Sequence, residues 1–196
     1  MKHVVIIHGY KGKPESNWKP WLSSELETRG FKVDIPSMPS SETPLQSSWV
    51  EMIAKIVGQP TSDTFLVGHS LGCIAILNYL ETLQQGETIG AALLVAVFGG
   101  RFEGYQGQHD SFFSHKLNWQ TVRNHCRNFV AIHSDDDPYI KIDQMELFKD
   151  KLGSKGVLVR GMGHFGSADG VYELPIARDE LLAIARSNQQ FTDSSS

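Results

Sequence analysis

The chain has 196 residues, enough for one domain with a substantial core, and its 40% hydrophobic and 20% charged content is that of an ordinary globular protein. A formal net charge of −4 gives no electrostatic footing for nucleic acid or an anionic membrane surface. No apolar stretch approaches the roughly 20 residues needed to span a bilayer, and the start, Met1-Lys2-His3 running into Val4-Val5-Ile6-Ile7, is too short for a signal-peptide core, so a cytoplasmic protein is expected.

In chain order, Val4 to Ile7 is a fully apolar run that reads as a central strand and ends in the glycine-containing loop His8-Gly9-Tyr10-Lys11-Gly12. Trp18, Trp21, Leu22 and Leu26 space as one face of a helix that stops at Arg29-Gly30, where a glycine C-cap is expected. Phe31 to Ile35 is a strand, residues 36–44 are a Pro- and Ser-rich loop, and a helix follows from Leu45 through Val57. A strand begins near Thr64, a helix runs from the serine at 70 to about Gln84, and Ala91 to Phe98 is another buried strand.

The order β-α-β-α-β-α-β implies a parallel sheet with helices on both faces. Residues 99–118 interrupt it with glycines and aromatics of no clear period, and a loop of that length in a compact domain is usually functional or disordered. A short helix (Trp119 to His125), a strand (Asn128 to His133), a helix (Ile142 to Leu152), a strand (Gly156 to Val159) and a last helix (about Leu174 to Arg186) complete a three-layer α/β/α sandwich with a doubly wound sheet of about six strands. Residues 1–187 read as one domain and the polar residues 188–196 as a flexible tail. Cys73 and Cys126 form no C-x-x-C pair, and neither a disulfide nor a zinc framework is expected.

Between the third strand and its helix lies Gly68-His69-Ser70-Leu71-Gly72, a G-x-S-x-G motif. A strand that reverses into a helix within one residue forces that residue into strained angles and crowds its neighbours, which the flanking glycines relieve. Ser70 then stands exposed above the positive end of the helix, with the Leu71 N–H directed at a developing oxyanion.

A serine nucleophile needs a base oriented by a carboxylate, and in sheets with this elbow the two follow it in the order acid, then His. Two later strand ends supply them: Ser134-Asp135-Asp136-Asp137-Pro138 and Gly161-Met162-Gly163-His164. His164 is assigned as the base, since His109, His115 and His125 precede the acid. Asp137 is preferred as the acid because Pro138 locks the turn after it, while Asp135 and Asp136 are expected to accept backbone N–H bonds. The second oxyanion donor is assigned to the backbone N–H of Tyr10, with Gly9 allowing close approach to the substrate. Trp18, Phe102 and Phe112 are the expected aromatic substrate contacts.

Beyond the elbow, the chain carries Trp18-Lys19-Pro20-Trp21-Leu22 with Glu25-Leu26, Met38-Pro39, Trp49, Trp119 through Cys126, Asp136-Asp137-Pro138 and Gly163-His164-Phe165. With these features it resembles, from about His3 to Ala185, the small serine hydrolases of the retinoblastoma-binding protein 9 and YdeN group within the α/β-hydrolase superfamily. By position, the resemblance implies that Ser70, Asp137 and His164 are the catalytic residues, that the fold is an α/β-hydrolase with minimal cap, and that the reaction is hydrolysis of small esters by a chemistry needing no metal or organic cofactor. The partners expected are a small ester and water. A retinoblastoma-type partner is not implied, because Leu71-Gly72-Cys73-Ile74-Ala75 lacks the glutamate of a Leu-x-Cys-x-Glu motif. The rival expectation is an idle module that keeps the fold and binds a partner through Trp18, Trp21, Trp49 and Trp119.

Overall fold

Short apolar runs joined by amphipathic helices assemble as the parallel sheet their order implies. In the computed structural model, which describes residues 1–100 and 106–193 (the last five by backbone alone), β1 (His3–Ile7), β2 (Lys32–Asp34), β3 (Thr64–His69), β4 (Ala91–Val95), β5 (Phe129–Ser134) and β6 (Lys155–Val159) lie in the order β2-β1-β3-β4-β5-β6 with every pairing parallel. The connecting helices are α1 (Lys19–Glu27), α2 (Gln46–Val57), α3 (Leu71–Thr82), α4 (Trp119–Asn124), α5 (Asp143–Leu152) and α6 (Pro175–Asp193). Right-handed crossovers that leave β1 in opposite directions place α1 on one face and α2 to α5 on the other. The packing agrees: α1 lies against α6, whereas α2, α3, α4 and α5 contact one another in series.

The central strands β3, β4 and β5 are buried from end to end, which is why they read as continuous apolar runs rather than alternating ones. Edge strands β2 and β6 are partly exposed. The register sets Ile7 beside Gly68 and His69 beside Val95, so β1, β3 and β4 end nearly flush at one rim. Between β1 and β3 the chain order reverses, and the loops that leave these two strands diverge to open a crevice, the usual place for a ligand in such a sheet.

Gly30 (φ +82°) closes α1 in a Schellman arrangement, with the Phe31 N–H bonded to Leu26 O and the Gly30 N–H to Glu27 O, while Phe31 and Leu26 join the core. Several boundaries differ from the sequence reading, and β4 ends at Val95 rather than Phe98. The last helix continues to Asp193 rather than ending near Arg186, so a tail starting at 188 is replaced by helix over most of its length; Ser187 to Asp193 is polar apart from Phe191 but holds no Gly or Pro to break the turn. Within the loop after β4, Asp110–Phe113 forms a 3₁₀ turn that glycine-rich surroundings concealed.

Candidate active site

Ser70 sits between β3 and α3 at φ +52°, ψ −117°, a conformation that non-glycine residues rarely adopt. The surroundings hold it there: its N–H donates to Val95 O on β4 at 2.8 Å, and α3 starts at the next residue. A Cβ on Gly68 would lie 2.7 Å from the backbone of Cys73, and one on Gly72 would lie 2.4 Å from Ile7 O and 2.7 Å from His8 O. The first glycine lets the helix fold back over the strand; the second lets that helix press against the end of β1.

The three side chains singled out in the sequence meet at this rim. His164 Nε2 is 3.0 Å from Ser70 Oγ, and His164 Nδ1 is 2.8 Å from Asp137 Oδ2. A carboxylate facing Nδ1 requires that nitrogen to carry the proton, leaving Nε2 to accept from the serine hydroxyl. The Asp137 side chain is 2% exposed, and its second oxygen accepts the N–H groups of Tyr139 and Ile140, so the turn is built on its carboxylate as well as on Pro138.

Each of the three consecutive aspartates has its own task. Asp135 accepts the Gly161 N–H, Asp136 accepts the Gly163 N–H and the Ser134 hydroxyl, and Asp137 takes the imidazole. The hydroxyl of Ser134 and the Gly163 N–H hold the Asp136 carboxyl below the usual carboxylate range. Asp169 fastens the other side of the histidine loop by accepting the N–H groups of His164 and Gly166.

Two further histidines, invisible as functional parts in the sequence, fix the floor. His8 Nδ1 lies 2.8 Å from Gly9 O and its Nε2 accepts the Met38 N–H at 3.0 Å, which only the neutral Nδ1–H tautomer satisfies. His69 donates from Nε2 to His164 O at 2.8 Å and stacks its ring 5.2 Å from that of His164. Burial lowers the pKa of His8 and lowers that of His69 far more; His109 and His133 are lowered by burial too. Unfolding exposes these rings at a pKa near 6.5, so as pH falls through that value the unfolded chain takes up protons that the folded chain does not, and stability declines. The expected result is a steady fall in Tm between pH 7.5 and 5 by differential scanning calorimetry; a Tm that stays level across that range contradicts the neutral assignment.

Above this floor opens a cleft of about 500 Å³. Tyr10 and Leu71 line it together with Ser70. Leu71 is the first residue of α3, so its N–H has no intrahelical partner. The N–H groups of Lys11 and Gly12 are spent on Ser41 O and Gly9 O, and among the described residues that of Tyr10 has no backbone acceptor. Gly9 also lines the cleft, where a Cβ would lie 3.1 Å from His69 O and 3.2 Å from Ser70 Cβ.

Two of the expected aromatic contacts are elsewhere. Trp18 is fully buried beneath the rim with its ring against His69, and Phe112 is buried against Trp49 at a ring separation of 5.5 Å, facing a separate apolar cavity. Helix-spaced and loop aromatics give no sign of which way they turn, and here the core takes both. Phe102 lies outside the described residues. The cleft instead takes Phe98, Gln108, His109, Tyr139 and Ile140, of which Tyr139 sets its ring edge-on to His164 at 5.1 Å. Since Trp18 and Trp49 are fully buried, the four tryptophans do not form a surface patch. The Leu71–Ala75 segment is likewise buried in α3.

Lys19 carries no sign of a role at the site in the sequence. As the first residue of α1 it lines the cleft, yet it is only 1% exposed. Burial lowers its pKa from 10.5 to about 8, against a smaller opposing effect of Glu15. Between those values the unfolded chain holds a proton that the folded chain has lost, so at neutral pH the buried ammonium disfavours folding by about 3 kcal/mol.

The family model described as serine hydrolase matches residues 4–183. YdeN of Bacillus subtilis (strain 168) is 31% identical over 180 residues, 92% of this chain and 94% of that one, and the crystal structure of the ydeN gene product superimposes with a TM-score of 0.89 at 30% identity over 94% of this chain and 98% of that one. The serine hydrolase RBBP9 of Rattus norvegicus is 26% identical, covering 85% of this chain and 88% of its own. At 15% identity the esterase domain of a Rhodothermus marinus protein shares the fold, with a TM-score of 0.71 over 95% of this chain and 87% of that domain.

Proposed function

The chain belongs to the serine hydrolase family, and from that premise we propose that it hydrolyses small carboxylic esters through an acyl-Ser70 intermediate. The observation that carries this reading is the unbroken hydrogen-bonded line from Asp137 through His164 to Ser70, ending at the floor of the cleft. His164 Nε2 takes the hydroxyl proton as Ser70 Oγ attacks the ester carbonyl, and Asp137 stabilises the imidazolium and keeps Nδ1 protonated. The negative charge on the tetrahedral oxygen falls between the N–H groups of Leu71 and Tyr10 and above the positive end of α3. His164 returns the proton to the departing alkoxide, and the same steps with water in place of the alcohol release the acid.

A cleft of about 500 Å³ suits a small molecule and leaves little room for a long acyl chain. Turnover of p-nitrophenyl esters of rising chain length tests the reading. Wild type is expected to favour the short chains, with Ser70→Ala at the rate of buffer. A folded wild type that cleaves none of them contradicts it.

A further inference from the structure

Among the described residues that line the cleft there are two lysines, Lys11 and Lys19, and no carboxylate, although the whole chain is acidic. Lys11 is exposed at the mouth, its ammonium 5.3 Å from the centre of the Tyr10 ring. Lys19 is different: it is 99% removed from solvent, and among the described residues no hydrogen bond or ion pair satisfies its amine, which lies over the Trp18 ring 5.8 Å from its centre.

An unpaired ammonium is expensive to bury and is ordinarily found with a carboxylate beside it. Its place in the fold adds to the expense, because the first residue of a helix lies at the positive end of the macrodipole, and α1 has no side-chain cap to offset it. His8 and His69 approach from the strand ends, both held neutral and both pushed further down by the nearby lysine charge, while among the described residues Glu15 is the acidic group that acts on it. The Trp18 face and Glu15 favour a cation here, but among the described residues neither supplies a hydrogen bond or an ion pair to it. What remains accessible of Lys19 faces the cleft that holds Ser70.

We propose that Lys19 anchors a carboxylate on the substrate, so that the preferred esters are anionic ones bearing a free acid group within reach of the scissile bond. This deepens the hydrolase reading and rests on it. A carboxylate suits the site because lysine offers one compact point charge, and the ion pair would form in a dry recess where screening is weak. Phe98 and Ile140 give the cleft an apolar lining that would take the uncharged part of the molecule. On this account the unpaired amine is a stability cost retained for binding, like other destabilising features of functional sites.

The test compares matched esters with wild type and Lys19→Met, a substitution that keeps the length of the side chain and removes its charge. Mono-(4-nitrophenyl) glutarate is set against 4-nitrophenyl hexanoate, and 4-acetoxybenzoate against its methyl ester, so that the acid is carried on the acyl side or the alcohol side. The expected result is a higher kcat/KM for the anionic member of at least one pair, with the anionic-to-neutral ratio falling about 10- to 100-fold in Lys19→Met. A ratio that favours the neutral member in both pairs, or one that Lys19→Met leaves in place, overturns the anchor while turnover of the neutral esters keeps the hydrolase reading. If neither kind of ester is cleaved, the hydrolase reading fails by itself, and calorimetric titration of glutarate decides for the anchor: about tenfold weaker binding by Lys19→Met supports it, and equal binding overturns it. Thermal melts of both proteins establish that each is folded.

Discussion

Asp137→Asn should lower kcat for a short p-nitrophenyl ester by about 10⁴, whereas its neighbour Asp136→Asn should lower it no more than about tenfold. An amide at 137 faces Nδ1 of His164 at 2.8 Å with either an oxygen that carries no charge or an NH₂ that repels the ring N–H. The first leaves the imidazolium unsupported, and the second drives the ring to the tautomer whose Nε2 is protonated and unable to accept from Ser70, 3.0 Å away. Neither outcome alters the cleft, so KM should change little. An asparagine at 136 keeps a carbonyl oxygen for the Gly163 N–H and the Ser134 hydroxyl and so preserves the loop. Steady-state kinetics of the two variants read the difference directly; the reverse ranking would make Asp136 the orienting acid.

The largest effect on stability is expected from Gly72→Ala. Its new methyl would stand 2.4 Å from Ile7 O and 2.7 Å from His8 O, and both are backbone atoms at the end of a central strand that cannot swing aside. Either α3 lifts from β1, opening the core beneath Ser70, or the strand end shifts and takes the Tyr10 N–H with it. A loss of roughly 3 kcal/mol is expected, a fall of about 6–12 °C in Tm for a chain of this size, with ester turnover lost as well. Gly30→Ala is the comparison: that residue has φ +82° and no atom within 4 Å of the added methyl, so only backbone strain of about 1 kcal/mol applies. Equal melting shifts for the two variants would contradict the close packing described at the elbow.

Why the sheet and its rim could be read from the chain while the cleft walls could not has a physical basis. Strands buried on both faces announce themselves as apolar runs, and α/β connectivity then leaves little choice of order or handedness. Ser70 and Asp137 follow such runs and His164 follows the parallel edge strand β6, so their shared edge is a consequence of topology and needs no knowledge of side-chain packing. The walls depend on which way a side chain turns. Trp18 and Phe112 have the chemistry of substrate contacts but are taken by the core. Lys19 has the chemistry of a solvent-facing helix residue but is folded under the rim by the close passage of α1. His8 and His69 look like parts of strand-end motifs, and only their partners Met38 and His164, distant in the chain, show that they brace the loops around the serine. The end of α6 is hidden for a different reason: mostly polar residues without Gly or Pro lower the hydrophobic signal without breaking the helix.

Every proposed step needs a reactive hydroxyl at Ser70, and covalent labelling with a fluorophosphonate, mapped by mass spectrometry, tests for it most directly. Wild type should gain a single adduct on the peptide containing Ser70, Ser70→Ala should gain none, and His164→Ala should react orders of magnitude more slowly, since an unactivated serine is a poor nucleophile. A wild-type protein that melts cooperatively yet carries no adduct on Ser70 would contradict the account.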